Sequence, residues 1–318
     1  MAEWVIERGI GETRAALVEG GSIVEARIDL DGVTSAGAVL AARLVEVGQS
    51  GRNAIARDAA GIEYLLPKAP NGVTEGAALN VEILREAIPG NEPWKRPLAH
   101  ATDEPPSPAP PLSGREIAFP SPGRNELDEA GWDDVIEQAR TGIVEFGGGT
   151  LRLSPTPAMT LIDVDGGLSP AELAAVGAAE AARAIRRLGI GGSIGIDLPT
   201  VAGKPPRQAA AAAIDEHLPQ PFERTAVNGF GFVQIVRPRI RPSLLEIWSD
   251  RAAAESRALL RRAASGSGPR RLVAHPRVVA VLEQNPPWID ALARQIGGAV
   301  TLRSDPSLAI SAGHAEPA

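Results

Sequence analysis

Residues 159–170 read MTLIDVDGGLSP: a hydrophobic run closes on two aspartates, Asp163 and Asp165, and two glycines follow. Downstream, GGSIGIDLP repeats the pattern, its apolar run closing on Asp197. Side chains alternate along a strand, so Asp163 and Asp165 share one face while Val164 takes the other. If the intervening segment is a crossover helix, the two strands run in the same direction and lie about 4.8 Å apart as neighbours. Asp163 and Asp197 then both stand at carboxyl strand ends, where open α/β sheets place their sites. Carboxylates that close repel each other, so one holds a proton unless a cation neutralises the pair. Mg²⁺ or Mn²⁺ suits such oxygens and keeps waters for a substrate. The glycines after Asp165 would let a backbone or a phosphate approach. The same aspartates have a plainer reading, because Asp also caps the polar turns that end strands.

Basic residues follow both the second aspartate and the next apolar run. Arg237, Arg239 and Arg241, in VRPRIRP, are spaced by two, so an extended segment puts them on one side to hold phosphates or to form a solvated edge. Lys204 and Arg207 come soon after Asp197 and would stabilise phosphate charge or serve as ordinary surface. Other chemistry lacks support. The glycines of GIGGSIG (189–195) precede a strand, where a dinucleotide loop would follow one. His100, His217, His275 and His314 are scattered without ligand spacing, and no Gly-x-Ser-x-Gly, phosphate loop or His-Glu-x-x-His occurs. The chain has no cysteine, which excludes disulfides and thiolate zinc sites.

The elements that position these residues are readable from pattern. Ser169, Pro170 and Glu172 predict a helix start with a capping Ser and a Glu that reaches back. The helix PAELAAVGAAEAARAIRRL runs to Gly189, a suitable stop. GSIGID is then a strand, residues 205–218 a second Ala-rich helix, and GFVQIVRP another strand. This β-α-β-α-β order predicts a parallel sheet with covering helices. Ahead of it, ELDEAGWDDVIEQARTG is a helix, and VEFGGGTLRLSPTPAMTLIDVD gives two strands about turns of Gly and Pro.

Earlier still, RAALVEGGSIVEARID alternates about Gly20-Gly21, a hairpin signal. VLAARLVEVG, RNAIARD, IEYLLP and LNVEILREAI are closely spaced strands of a small barrel. ATDEPPSPAPPLSG (101–114) is a proline-rich linker. From Pro242 the chain reads as a small α/β appendage. No internal repeat stands out.

Length and composition set the frame. A chain of 318 residues with 44% hydrophobic and 22% charged residues has enough for one large or two to three ordinary domains and a sizeable core. Aromatics are only 3%, so Ala, Val, Leu and Ile must fill that core. The net charge of −7 counts mildly against a dedicated nucleic-acid binder but not against an enzyme with basic residues in one groove. The start, MAEWVIERG, has early acids and no long apolar core, so no signal peptide is expected, and no apolar run is long enough for a membrane span. The expected address is the cytoplasm.

AMTLIDVDGG, EAARAIRRLGIGGSIGIDLP and GFGFVQIVRPRIRPSLLE, in that order and spacing, resemble the catalytic core of the ribonuclease E/G family. The resemblance is strongest over residues 148–246. It implies that Asp163 and Asp197 hold a catalytic Mg²⁺ (or Mn²⁺). Asp165 takes a supporting catalytic position where the family usually has Asn. The opening hairpin is similar to the family's ribonuclease-H-like part, residues 35–98 to its OB-fold RNA-binding insert, and the tail to its small C-terminal domain. The implied organisation is a ribonuclease-H-like hairpin (1–34), an OB-like insert (35–100), the linker (101–114), a catalytic core (115–243) and a C-terminal small domain with tail (244–318). The implied fold class is multidomain α/β (α+β), with a β-α-β-α-β metal-site core and a barrel insert.

The implied activity is endonucleolytic cleavage of single-stranded RNA, in processing or decay, leaving a 5′-phosphate and a 3′-hydroxyl. Three departures stand out. The paired cysteines of the family's zinc link are missing where IWSDRAAAE stands, so no zinc-linked partner is expected, though other oligomers remain open. The 5′-monophosphate sensor has no counterpart, since the Arg-Thr pairs at 140–141 and 224–225 are misplaced for it. The insert offers few aromatics for stacking bases, chiefly Tyr64 and Trp94. Two other readings stay open: a catalytically inactive RNA-binding protein of the same fold, and a protein-interaction scaffold that docks partners through Ala-rich helices and the linker.

Overall fold

A computed structural model of the chain describes residues 2–49, 52–89, 95–121 and 123–318. It is a mixed α/β structure of several sheets and one closed five-stranded barrel. Two compact units divide the residues. The first gathers Met1–Asp31, Gly114–Ile136 and Ile247–Ala318, and the second Gly32–Ser113 and Glu137–Glu246.

In the first unit, β1 (Glu3–Arg8), β2 (Glu12–Glu19) and β3 (Ser22–Leu30) form an antiparallel meander. The hairpin read around Gly20-Gly21 is present. Both glycines have positive φ, 59° and 80°, which the tight two-residue turn needs.

In the second unit, β4 (Val39–Val47), β5 (Arg52–Asp58), β6 (Glu63–Lys68), β7 (Ala78–Arg85) and β8 (Leu98–Thr102) close as β4-β5-β6-β8-β7. Its interior is filled by Leu44, Leu66, Val81, Ile83, Tyr64 and several alanines. The expected linker differs from its reading. Residues 101 and 102 belong to β8, and Ser107, between Pro106 and Pro108, exchanges two backbone hydrogen bonds of 2.9 Å with Val39. A proline cannot donate, but the single serine among them can, and it fastens the segment along β4.

The chain returns to the first unit with β9 (Arg115–Ile117), which pairs parallel to β1 and completes the sheet β3-β2-β1-β9. α1 (Glu126–Glu129) starts on a full capping box at Asn125 and Asp128. α2 (Trp132–Thr141) carries the chain into the second unit. Within the first unit a buried ion network links these pieces. Arg14 and Glu7 are 3% and 1% exposed and paired, Arg14 also reaches Asp128 at 2.9 Å, and its guanidinium lies 5.3 Å from the centre of the Trp132 ring. The expected catalytic segment 115–243 is therefore divided, its first part packing with the N- and C-terminal pieces.

Beyond α2, the second unit builds a six-stranded sheet from β10 (Ile143–Phe146), β11 (Gly149–Pro155), β12 (Thr160–Gly166), β13 (Gly192–Asp197), β14 (Glu223–Arg224) and β15 (Phe232–Arg237). Their order is β10-β11-β12-β13-β15-β14. α3 (Pro170–Arg187) connects β12 to β13, and α4 (Lys204–His217) follows β13. Both helix readings hold to within a residue or two, and Gly189 stops α3 with φ 66°. The reciprocal cap does not form: Ser169 makes no side-chain cap bond, and its hydroxyl meets Glu172 at 3.5 Å instead.

The all-parallel sheet is not observed. β12 and β13 run parallel, but β15 is antiparallel to β13 and every other neighbouring pair in this sheet is antiparallel. The reversal lies after α4. β14 enters first, and a turn at residues 225–231 sends β15 back along it. One face buries Leu151, Leu153, Ile162, Val164, Ile194, Ile196, Val233 and Ile235, where α3 packs with its alanines. The small side chains of α3 allow a close approach, and Gly177 faces Val164 with no room for a Cβ.

The chain ends in the first unit. α5 (Leu244–Ser249) leads to α6 (Arg251–Ala264), then β16 (Arg270–Ala274), α7 (Pro276–Gln284), α8 (Pro286–Ile296), β17 (Val300–Ser304) and β18 (His314–Pro317). The sheet β17-β16-β18 with α6, α7 and α8 encloses a Leu, Val and Ile core, as the small α/β appendage required. Among the described residues, no helix is long and apolar enough to cross a membrane.

Candidate functional site

The sheet's other face carries the aspartates. Asp163 and Asp197 are register partners on the parallel strands β12 and β13. Their side chains therefore project side by side from the face opposite the helices, and both residues are exposed. The row continues on both sides, because Arg152 pairs with Asp163 and Phe232 with Asp197. Asp165 stands one pleat further along β12, opposite Thr150. The Phe232 ring crosses the strand at Gly195 toward Leu161, and a Cβ at Gly195 would fall 2.6 Å from that ring.

The electrostatics follow from this crowding. Partial shielding of the carboxyl group pushes the Asp163 pKa above the ordinary 3.8. The charges of Asp165 and Asp197 and a hydrogen bond that protonated Asp163 donates to Asp165 add to the rise, and Arg152 opposes it. Arg152 Nε lies 3.9 Å from Asp165 and its charge also acts on Asp163, so one guanidinium serves two of the three carboxyl groups. The local balance is negative, and the Asp163–Asp165 hydrogen bond requires a proton that a cation would displace.

Two carboxylates and open access suit Mg²⁺, which is held by one or two such ligands and keeps several waters. Asp163 and Asp197 fit that arrangement. A three-carboxylate cage is not formed: among the described residues, no group of three or more His, Asp or Glu side chains converges as metal ligands. Asp165 is turned to Asp163 and Arg152.

Several sequence expectations come out differently. Tyr64 is 1% exposed inside the barrel, where its hydroxyl donates to Asp58 at 2.8 Å, so it offers no face to a base. Trp94 lies outside the described residues. Arg237 pairs with Gly192 at the far end of β13, five residues and about 17 Å from Asp197. It donates to the Ile190 carbonyl at 3.2 Å, and Arg239 is ion-paired with Glu246. Arg241 comes four residues after the end of β15. Arg237 and Arg239 do not join the aspartates. Of the two glycines after Asp165, Gly166 receives backbone, its Cβ position lying 2.3 Å from the Gly148 carbonyl, and Gly167 has open space around it.

Lys204 is exposed at the first residue of α4. Arg207, one turn on, donates to the Gly203 carbonyl at 2.9 Å, and its Nη1 lies 3.7 Å from where a Cβ on Gly229 would be. Gly229 belongs to the turn before β15. Two residues at the site were not singled out from sequence: Arg152 and Phe230. The first was legible in principle. Once the turn at Thr156–Met159 is placed, pairing Pro155 with Thr160 brings Arg152 opposite Asp163. Compared with known proteins, the sequence matches no family model and no curated protein.

Proposed function

We propose that the chain is a divalent-metal-dependent endoribonuclease that cleaves single-stranded RNA. The observation that carries this reading is the in-register pairing of Asp163 with Asp197 on an open sheet face. The likeness of residues 148–246 to the ribonuclease E/G catalytic core supports it, as does a closed barrel of OB-fold size in the same unit. Asp163 and Asp197 would hold the cation, and Asp165, one pleat further along β12, would take the supporting position. A bound Mg²⁺ lowers the pKa of a coordinated water and polarises the scissile phosphate. Hydrolysis then forms a bond from the water oxygen to phosphorus and breaks the bond to the 3′ oxygen, which leaves with a proton. A 5′-phosphate and a 3′-hydroxyl result. Arg207 and Lys204, in the first turn of the helix that follows Asp197, would supply positive charge for the phosphates.

The test is cleavage of a 5′-labelled, AU-rich single-stranded RNA in Mg²⁺ and in EDTA. Wild type should cut only with the metal, and Asp163→Asn and Asp197→Asn should lose about 10²-fold or more of the rate. Unchanged cleavage by both variants would reject the site. A second reading has its own support, because Arg152 and the Asp163–Asp165 hydrogen bond partly neutralise the acids without a cation. An RNA-binding protein without catalysis would bind the same RNA in EDTA and leave it intact in Mg²⁺.

A further inference from the structure

Phe230 is 82% exposed. In a chain with only five phenylalanines, leaving one ring in water forgoes a large share of the available aromatic burial. The backbone that carries the ring is also held in place. Asn228 accepts hydrogen bonds from the backbone N–H of Phe230 at 2.9 Å and of Phe232 at 3.1 Å. Thr200 donates to the Phe230 carbonyl at 3.1 Å, and the Leu198 N–H donates to the Gly231 carbonyl at 3.2 Å. Gly231, at φ 94°, lies so close to Leu198 that a Cβ would meet its carbonyl at 2.1 Å. Leu198 and Thr200 come directly after Asp197. The turn bearing Phe230 is therefore fastened to the carboxyl end of the strand that supplies the second acid. Arg207 flanks the same turn at Gly229.

We infer that Phe230 is a stacking platform for an unpaired nucleobase next to the reacting phosphate, with Arg207 against that nucleotide's backbone. The inference rests on the nuclease reading for the identity of its ligand. A flat apolar ring, a guanidinium and an acid pair on one rigid edge match the three parts of a nucleotide: base, backbone charge and reacting centre. Stacking needs an exposed base face, which a duplex withholds. Phe230 thus selects single-stranded over double-stranded RNA, and it accepts any base.

The test separates binding from cleavage. A single-stranded RNA 12-mer carrying one 2-aminopurine is titrated in EDTA against wild type, Phe230→Ala and Phe230→Trp, beside its duplex, and the cleavage of an unmodified 12-mer is followed in Mg²⁺. Phe230→Ala should weaken single-strand binding and lower kcat/KM by about 5- to 150-fold, the worth of one stacked base. Phe230→Trp should stay near wild type, and duplex binding should not change. Equal single-strand affinity in wild type and Phe230→Ala overturns the subsite, as does an equal loss on the duplex. If wild type binds and never cleaves while Phe230→Ala loses single-strand affinity, the subsite stands and the nuclease reading falls. Absence of both binding and cleavage in wild type overturns both. The ring makes so little buried contact that Phe230→Ala should fold as wild type, which far-UV circular dichroism checks.

Discussion

Gly177→Ala places a methyl group between α3 and the sheet that carries the acids. Two opposing effects act at once. In a helix interior, Ala is favoured over Gly by about 0.8–1.0 kcal/mol. Against this, the new Cβ would stand 2.4 Å from Val164 Cγ1, far inside van der Waals contact. Val164 is 5% exposed and packed beneath the helix, so the strand or the helix must shift. Overpacking of this kind costs about 1–3 kcal/mol, which leaves Gly177→Ala destabilising by about 0–2 kcal/mol. Val164→Ala removes Cγ1 and leaves the next contact, to Val164 Cβ, at an ordinary 3.6 Å. In that background the same Gly177→Ala change should stabilise by about 0.8–1.0 kcal/mol, because only the helix term survives. The sign therefore inverts, with a coupling of about 1–3 kcal/mol. Urea titrations of the four proteins, followed by the helical signal at 222 nm, measure the cycle. Additive effects, with Gly177→Ala stabilising equally in both backgrounds, would refute the packing account.

Three further outcomes follow from charges and burial. The Asp163 pKa is raised in the folded state, so this carboxyl favours folding most below its ordinary 3.8, and the benefit is lost as pH rises through the folded value. Asp163→Asn should accordingly raise Tm at pH 7 in EDTA, the gain should shrink toward pH 4, and Mg²⁺ should raise Tm for wild type but not for the variant. Tyr64 is the sole tyrosine, and burial pushes its phenol up to about 12, so absorbance at 295 nm should titrate near that pH, with stability falling from about pH 10 upward. Arg14→Met leaves Glu7, 1% exposed, without its ion pair and should destabilise the first unit by about 3–5 kcal/mol in a denaturant titration.

What could be read beforehand followed local rules. Gly20-Gly21 required a tight turn, and α3 and α4 lie where alanine runs and Gly189 put them. The acid pair was legible because two apolar runs, each ending in Asp, flank a helix-length segment. The direction of β15 was not, since alternating helix and strand does not encode polarity; Asn228 and Gly231 reverse the chain there. Tyr64 sits in a strand reading Tyr-Leu-Leu, where either face is apolar, so pattern alone could not say that Tyr64 and Leu66 point inward. Arg152 required knowing a hairpin register. Phe230 required knowing which aromatic stays in water, a property of the assembled sheet.

The two acids face each other as rungs of a hydrogen-bonded ladder, so their separation belongs to the peptide backbone more than to any side chain. Substitutions in the covering helices can displace a strand but leave the pairing register alone. Losing a single residue from Gly192–Ile196 would turn Asp197 over to the helix side, and losing two would restore its facing but slide it about 6.6 Å off its partner. Small insertions and deletions, more than point changes, are therefore the genetic events to which this pair is most vulnerable.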